Sequence, residues 1–112
     1  MAELYLNGVH RDTFTTTGNG VAQNIIGTPR TKFTLKVIGT DAIPTAWSVV
    51  LEGSLDDSNY TTILTHTSAV ETNGELKFSG ASNFAVIFFR SRVVSLTLGA
   101  ATNIVVSTYA TP

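Results

Sequence analysis

The most constraining feature of this chain is its period of two. Segments rich in Thr, Val, Ile and Phe alternate apolar and polar residues, and no window sustains the 3.6-residue repeat of an amphipathic helix. In KFTLKVI, Phe33, Leu35 and Val37 fall on one face and Lys32, Thr34 and Lys36 on the other, the signature of a strand with one wet side. Trp47, Val49 and Leu51 are likewise set against Ser48, Val50 and Glu52. Asn7-Gly8, Asn19-Gly20 and Asn73-Gly74 supply residues that tolerate the positive φ of tight turns. This punctuation predicts strands at about 3–6, 10–17, 21–26, 32–38, 46–55, 60–67, 75–79, 84–98 and 103–110. Pro112 cannot donate a ladder hydrogen bond, so the last strand is expected near a sheet edge.

The chain's 112 residues suit one domain, 1–112, because a single core organises about 100 to 150 residues. Residues 1–31, broken by Gly27-Thr28-Pro29, read as an N-terminal arm or edge hairpin. The expected fold class is all-β, an antiparallel two-sheet β-sandwich. Jelly-roll, immunoglobulin-like and discoidin-like connections all accommodate the strand count.

Composition narrows the function. A net charge of −1 provides no clustered Lys and Arg for a phosphate backbone, so no nucleic-acid partner is expected. The absence of cysteine excludes disulfides and thiolate metal sites. The longest apolar run, Phe84 to Phe89, is far short of the ~20 residues of a membrane helix, so no membrane partner is expected either. The opening MAELYLNGVHR lacks the order of a signal peptide, which leads to the expectation of synthesis in a host cytoplasm and exit by lysis or within a particle. With only 13% charged residues against a usual ~25%, part of the surface is expected to be covered by another molecule.

Catalytic chemistry finds little to work with. His10 and His66 stand alone, and no nucleophile elbow occurs. Glu52, Glu71 and Glu75 could form a glycosidase pair only across a cleft that so short a chain rarely builds. DDSN, Asp56 to Asn59, begins like a calcium loop, but Thr62 stands where that loop requires Gly and Ser68 where it closes with Glu. A polar turn accounts for it better, and no catalytic residue, metal or cofactor is assigned. The single Trp47 is expected in the core, although Tyr5, Trp47 and Tyr109 are the aromatics a sugar-binding module would offer.

FAVIFFRSRVV breaks the alternation in a directed way. If Phe89, Ser91 and Val93 face the core, then Phe84, Val86, Phe88, Arg90 and Arg92 point outward, giving a strand apolar on both faces in its first half. Those five residues are the candidate interface, an apolar centre with an arginine rim. The alternatives are cover by the N-terminal arm or a register-resetting bulge.

Gly53-Ser54-Leu55-Asp56 followed by Tyr60 resembles the G-S-x-D corner of discoidin-type modules. Together with Arg90 to Gly99, which fits R-x-x-V-x-S-L-T-x-G, it resembles small bacteriophage virion proteins over roughly Phe33 to Tyr109. Asp57 stands where those sequences often have Gly, and Tyr60 where they have Trp. The resemblance implies a non-enzymatic capsid decoration or cement protein, often trimeric, on the outer surface of a phage head. Its partners would be the major capsid protein or other virion proteins. No sugar-binding loop of the discoidin modules has a counterpart in this chain.

Overall fold

The computed structural model describes residues 9–24, 31–79 and 87–111. Among them there are nine strands and no helix: β1 (His10–Phe14), β2 (Gly18–Asn19), β3 (Gln23–Asn24), β4 (Lys32–Gly39), β5 (Ala46–Ser54), β6 (Thr61–Thr67), β7 (Leu76–Ser79), β8 (Phe88–Thr97) and β9 (Ile104–Thr111). All pairings are antiparallel. One sheet has the order β1-β9-β4-β7, the other β2-β8-β5-β6, with β3 also on β8. Taking β2 and β3 as one interrupted strand, the ladders nest outermost with outermost: β1 with β9, β2/β3 with β8, β4 with β7, β5 with β6. That is a long hairpin wound into two layers, the jelly roll.

The core is the inner face of both layers. Phe33, Leu35, Val37, Ile104, Val106 and Ala110 from the first sheet meet Trp47, Val49, Leu51, Leu64, Phe89 and Val93 from the second. Each large side chain fully buried contributes roughly 1.5 to 3 kcal/mol, which is the main force closing the layers. Phe33 and Phe89 meet across the gap edge to face, with ring centroids 6.4 Å apart.

Strand β5 keeps the alternation of its sequence, and its neighbours bend to it. Ser48 pairs with Ser95 but Val49 with Val93, so Val94 of β8 is an extra residue at a bulge. Beyond it the inward set changes from Phe89, Ser91 and Val93 to Leu96 and Leu98, which pack against the core. Leu51 pairs with Leu64 and Glu52 with Thr62, leaving Ile63 of β6 as a second bulge.

Two expectations are corrected. The last strand is not at an edge: β9 runs between β1 and β4, since the chain's first described strand supplies its second neighbour and the ladder ends at Thr111. Asn19-Gly20 is not a hairpin turn. Asn19 pairs with Arg92 in β2, and Gly20 passes so close to the opposite layer that a Cβ there would collide with the Asp12 carboxylate and the Ser91 hydroxyl. Asn73-Gly74 does turn, with Gly74 at φ 83° and the Asn73 side chain accepting from the Gly39 N–H at 2.8 Å. Asn7-Gly8 and the strand expected at 3–6 lie outside the described residues. Of the 1–31 segment, residues 9–24 are woven into both layers, β1 in one and β2 and β3 in the other.

Candidate functional site

The candidate interface begins on β8. Phe89, Ser91 and Val93 are buried, and Arg90 and Arg92 lie on the other face. Phe88 is half-buried, while Phe84 and Val86 lie outside the described residues. The two arginines are not free. Glu52 sits on the adjacent strand, paired with Arg90, and its carboxylate takes the Arg90 Nε at 2.7 Å through one oxygen and the Arg92 Nε at 3.4 Å through the other. A buried carboxylate needs cations this close to offset its desolvation, and Arg90, nearer and less exposed, carries more of that than Arg92. The outer face of β5 is therefore covered by this chain's own side chains, Val50 and Glu52 being 7% and 5% exposed.

Arg90 also lies over the Tyr60 ring, 3.8 Å from its centroid, a cation–π contact. Tyr60 belongs to the G-S-x-D corner between β5 and β6. The Ser54 hydroxyl oxygen accepts from the N–H groups of Asp56 and Asp57 and donates to Asp56 Oδ1 at 2.8 Å. Asp56 Oδ1 accepts from the N–H groups of Ser58 and Asn59, and Oδ2 from the Asn59 side chain. Backbone donors from Asn59 and Ser58 hold the Asp56 carboxyl far below the usual range. Asp57 takes φ 61°, left-handed and tolerable for Asp, where the corners it resembles often have Gly. The Tyr60 hydroxyl donates to Asp57. Burial, then that bond, push the Tyr60 phenol up to about 12.

Neither histidine forms a catalytic pair. His66 is fully buried, with Nδ1 accepting from the Trp47 indole at 3.0 Å and Nε2 donating to the Glu75 carbonyl at 2.8 Å. Trp47 is core, so it offers no face to a sugar. His10 Nε2 lies 3.1 Å from Asp12 Oδ2, which also accepts from the Ser91 hydroxyl at 3.2 Å. The carboxylate lies between the serine and the histidine, so the histidine cannot act as base to that hydroxyl. What the cluster does is join β1 in one layer to β8 in the other. Glu71 is spent on the Thr67 N–H and Lys77 Nζ, and Glu75 on Thr72. No group of three or more His, Cys, Asp or Glu able to hold a metal occurs among the described residues.

A second outward surface, not singled out by the sequence, is the outer face of the β1-β9-β4-β7 sheet. Leu76 and Phe78 of edge strand β7 are 62% and 64% exposed. A groove of about 190 Å³ crosses this face, lined by Val9, Arg11, Thr34, Lys36, Leu76 and Tyr109 among others. Ligand pockets commonly hold about 300 to 1,000 Å³, so this groove is smaller than a usual small-molecule site. The weak signal for it was β7 itself: in LKFS the apolar residues are those facing outward.

No family model matches the chain, and no curated protein matches it in sequence. Solved structures do share its fold. The SPBc2 prophage-derived protein YomS superposes with a TM-score of 0.56 at 14% identity, over 92% of this chain and 94% of that one. The Yersinia pseudotuberculosis-derived mitogen YPM gives a TM-score of 0.59 at 9% identity, over 93% and 85%. PirA gives 0.51 at 13% identity, over 92% and 93%. At such identities the likeness is one of fold.

Proposed function

We propose that this protein is a non-enzymatic structural component of a phage particle, a capsid decoration or cement protein bound on the outer surface of the head where shell subunits meet. The observation that carries the reading is a fold held in common, over nearly the full length of both chains, with a prophage-derived protein. The G-S-x-D corner and the β8 segment that resemble small virion proteins agree with it. So does the chemistry of the interior, where the histidines and buried carboxylates are committed to internal bonds rather than poised for a reaction. A fold alone does not fix a function, and the reading draws on the surfaces as well. A cement protein works by linkage: it binds assembled shell and not separated subunits, and so stabilises the shell by its binding free energy. Its partners are the major capsid protein or neighbouring virion proteins, and it docks as a homo-oligomer, with a trimer the expected state.

Quantitative gel analysis of purified particles tests this. A fixed high copy number is expected, and heads lacking the protein should disrupt at lower temperature. Absence from particles, or a few copies only, overturns the decoration role. The second reading, a carbohydrate-binding or tail attachment module, draws on one observation, the partly exposed Tyr109 beside Arg11, Lys36 and Ser107. A glycan array probed with the protein separates the two.

A further inference from the structure

The outer face of the β1-β9-β4-β7 sheet is basic and apolar, and the register shows how. One cross-strand row runs Arg11, Ser107, Lys36, Leu76, and the next runs from Tyr109 through Thr34 to Phe78, with Val9 beside Tyr109. Lys32 lies further along the same face of β4. Among the described residues this face carries no carboxylate, and Arg11, Lys32 and Lys36 form no ion pair with another described residue.

The corner between β5 and β6 has the opposite character. Leu55 projects there, 67% exposed, with Asp56 and Asp57 following it directly. The corner is stiff, because Ser54 and Asp56 satisfy its backbone N–H groups, and the same bonds keep Asp56 ionised. A fixed apolar knob flanked by two carboxylates is the complement of a groove lined by Leu76, Tyr109, Arg11 and Lys36. The groove is on the outer face of one sheet and the knob follows the end of a strand of the other.

We propose that the occupant of the groove is the Leu55-Asp56-Asp57 corner of a second copy of this chain. Leu55 enters against Leu76 and Tyr109, and the two carboxylates face Arg11 and Lys36. Because the two surfaces differ, the contact is heterologous, and repeated contacts close into a ring or extend into a filament. The contact deepens the reading above by naming how copies join, and it stands or falls separately from the destination of the assembly.

Sedimentation and native mass spectrometry of the full chain, at concentrations up to ~100 µM and so well above the micromolar constants of weak specific interfaces, test it. The wild-type chain is expected to associate, less so as salt rises. Leu55→Ser and Lys36→Glu, both surface changes, should each give a folded monomer by circular dichroism. Mixed together they should form a one-to-one heterodimer that grows no further, since each retains one sound surface. If either fails to fold, Asp57→Asn and Arg11→Gln replace them, with association weakened roughly 1.5- to 5-fold. A wild-type monomer throughout overturns the proposal. So does an oligomer indifferent to Leu55→Ser, which would mean a face-to-face dimer or another surface. A monomer still abundant in particles would remove this contact and leave the virion reading standing; an oligomer absent from particles would do the reverse.

Discussion

The indole N–H of Trp47 donates to His66 Nδ1 at 3.0 Å inside the core, and the two rings lie 6.1 Å apart at a 31° tilt. An indole can only donate and the Glu75 carbonyl on the other side can only accept, so the imidazole carries its proton on Nε2. One tautomer satisfies both neighbours, and the core of the β5-β6 side is built on it.

Removing either partner leaves the other stranded. Trp47→Phe should cost about 1 to 3 kcal/mol by orphaning Nδ1, and Trp47→Ala about 3 to 5 kcal/mol by adding a cavity. Urea denaturation measures both. Imidazole nitrogen shifts in the intact protein should report the Nε2–H tautomer; the Nδ1–H form would refute the assignment.

Glu52 links β5 to β8 through two arginines, so its loss should exceed that of either arginine. Glu52→Ala is expected to destabilise by roughly 2 to 4 kcal/mol, by leaving the partly buried Arg90 without its counterion, and Arg92→Ala by less than about 1 kcal/mol, since the Arg92 side chain is 45% exposed and its contact is the longer one at 3.4 Å. Thermal melts of the two variants give the order directly. Equal losses would mean that the network does not centre on Glu52.

Stability should fall at both ends of the pH scale. The Asp56 and Glu71 carboxyls are held low, chiefly by backbone donors at Asn59 and at Thr67. Their stabilisation is complete above the ordinary carboxylate value near 4 and is lost as pH falls toward the lower folded values. Tyr60 runs the other way: raised to about 12, it stabilises fully below its ordinary value near 10, and that stability is lost between about 10 and 12. Urea midpoints from pH 2 to 12 should trace a plateau with two shoulders. Tyr60→Phe should remove the alkaline one, and Glu71→Gln should shrink the acid one.

Gly20 has no room for a methyl group. Gly20→Ala should break the Asp12–Ser91 hydrogen bond between layers and lower stability by about 1 to 3 kcal/mol, and Gly18→Ala, which has open space around it but φ 152°, should cost about as much through backbone strain. Differential scanning calorimetry of the two variants checks both.

What was legible in the sequence was whatever depends on a strand's own alternation. Phe33, Leu35 and Val37 of β4 and Trp47, Val49 and Leu51 of β5 are buried as their spacing requires. Alternation names a face but not its neighbour, which is why Glu52 as counterion of Arg90 and Arg92 could not be read: the three meet only through the β5–β8 register. The bulges at Ile63 and Val94 were equally silent, since an extra residue is defined against the facing strand. Strand β2 is two residues long, below any period, and its Gly-Asn sequence looked like a turn. The basic and apolar face around Leu76 and Phe78 emerged only when β1, β9, β4 and β7 were laid side by side. Its residues are scattered from Val9 to Tyr109 along the chain.

Between Phe14 and Gly18 the chain leaves the layer of β9 for the layer of β8, and the Asp12–Ser91 bond clasps the two beside that step. The two layers therefore cannot part without breaking that bond and drawing out the short stretch of chain that belongs to both.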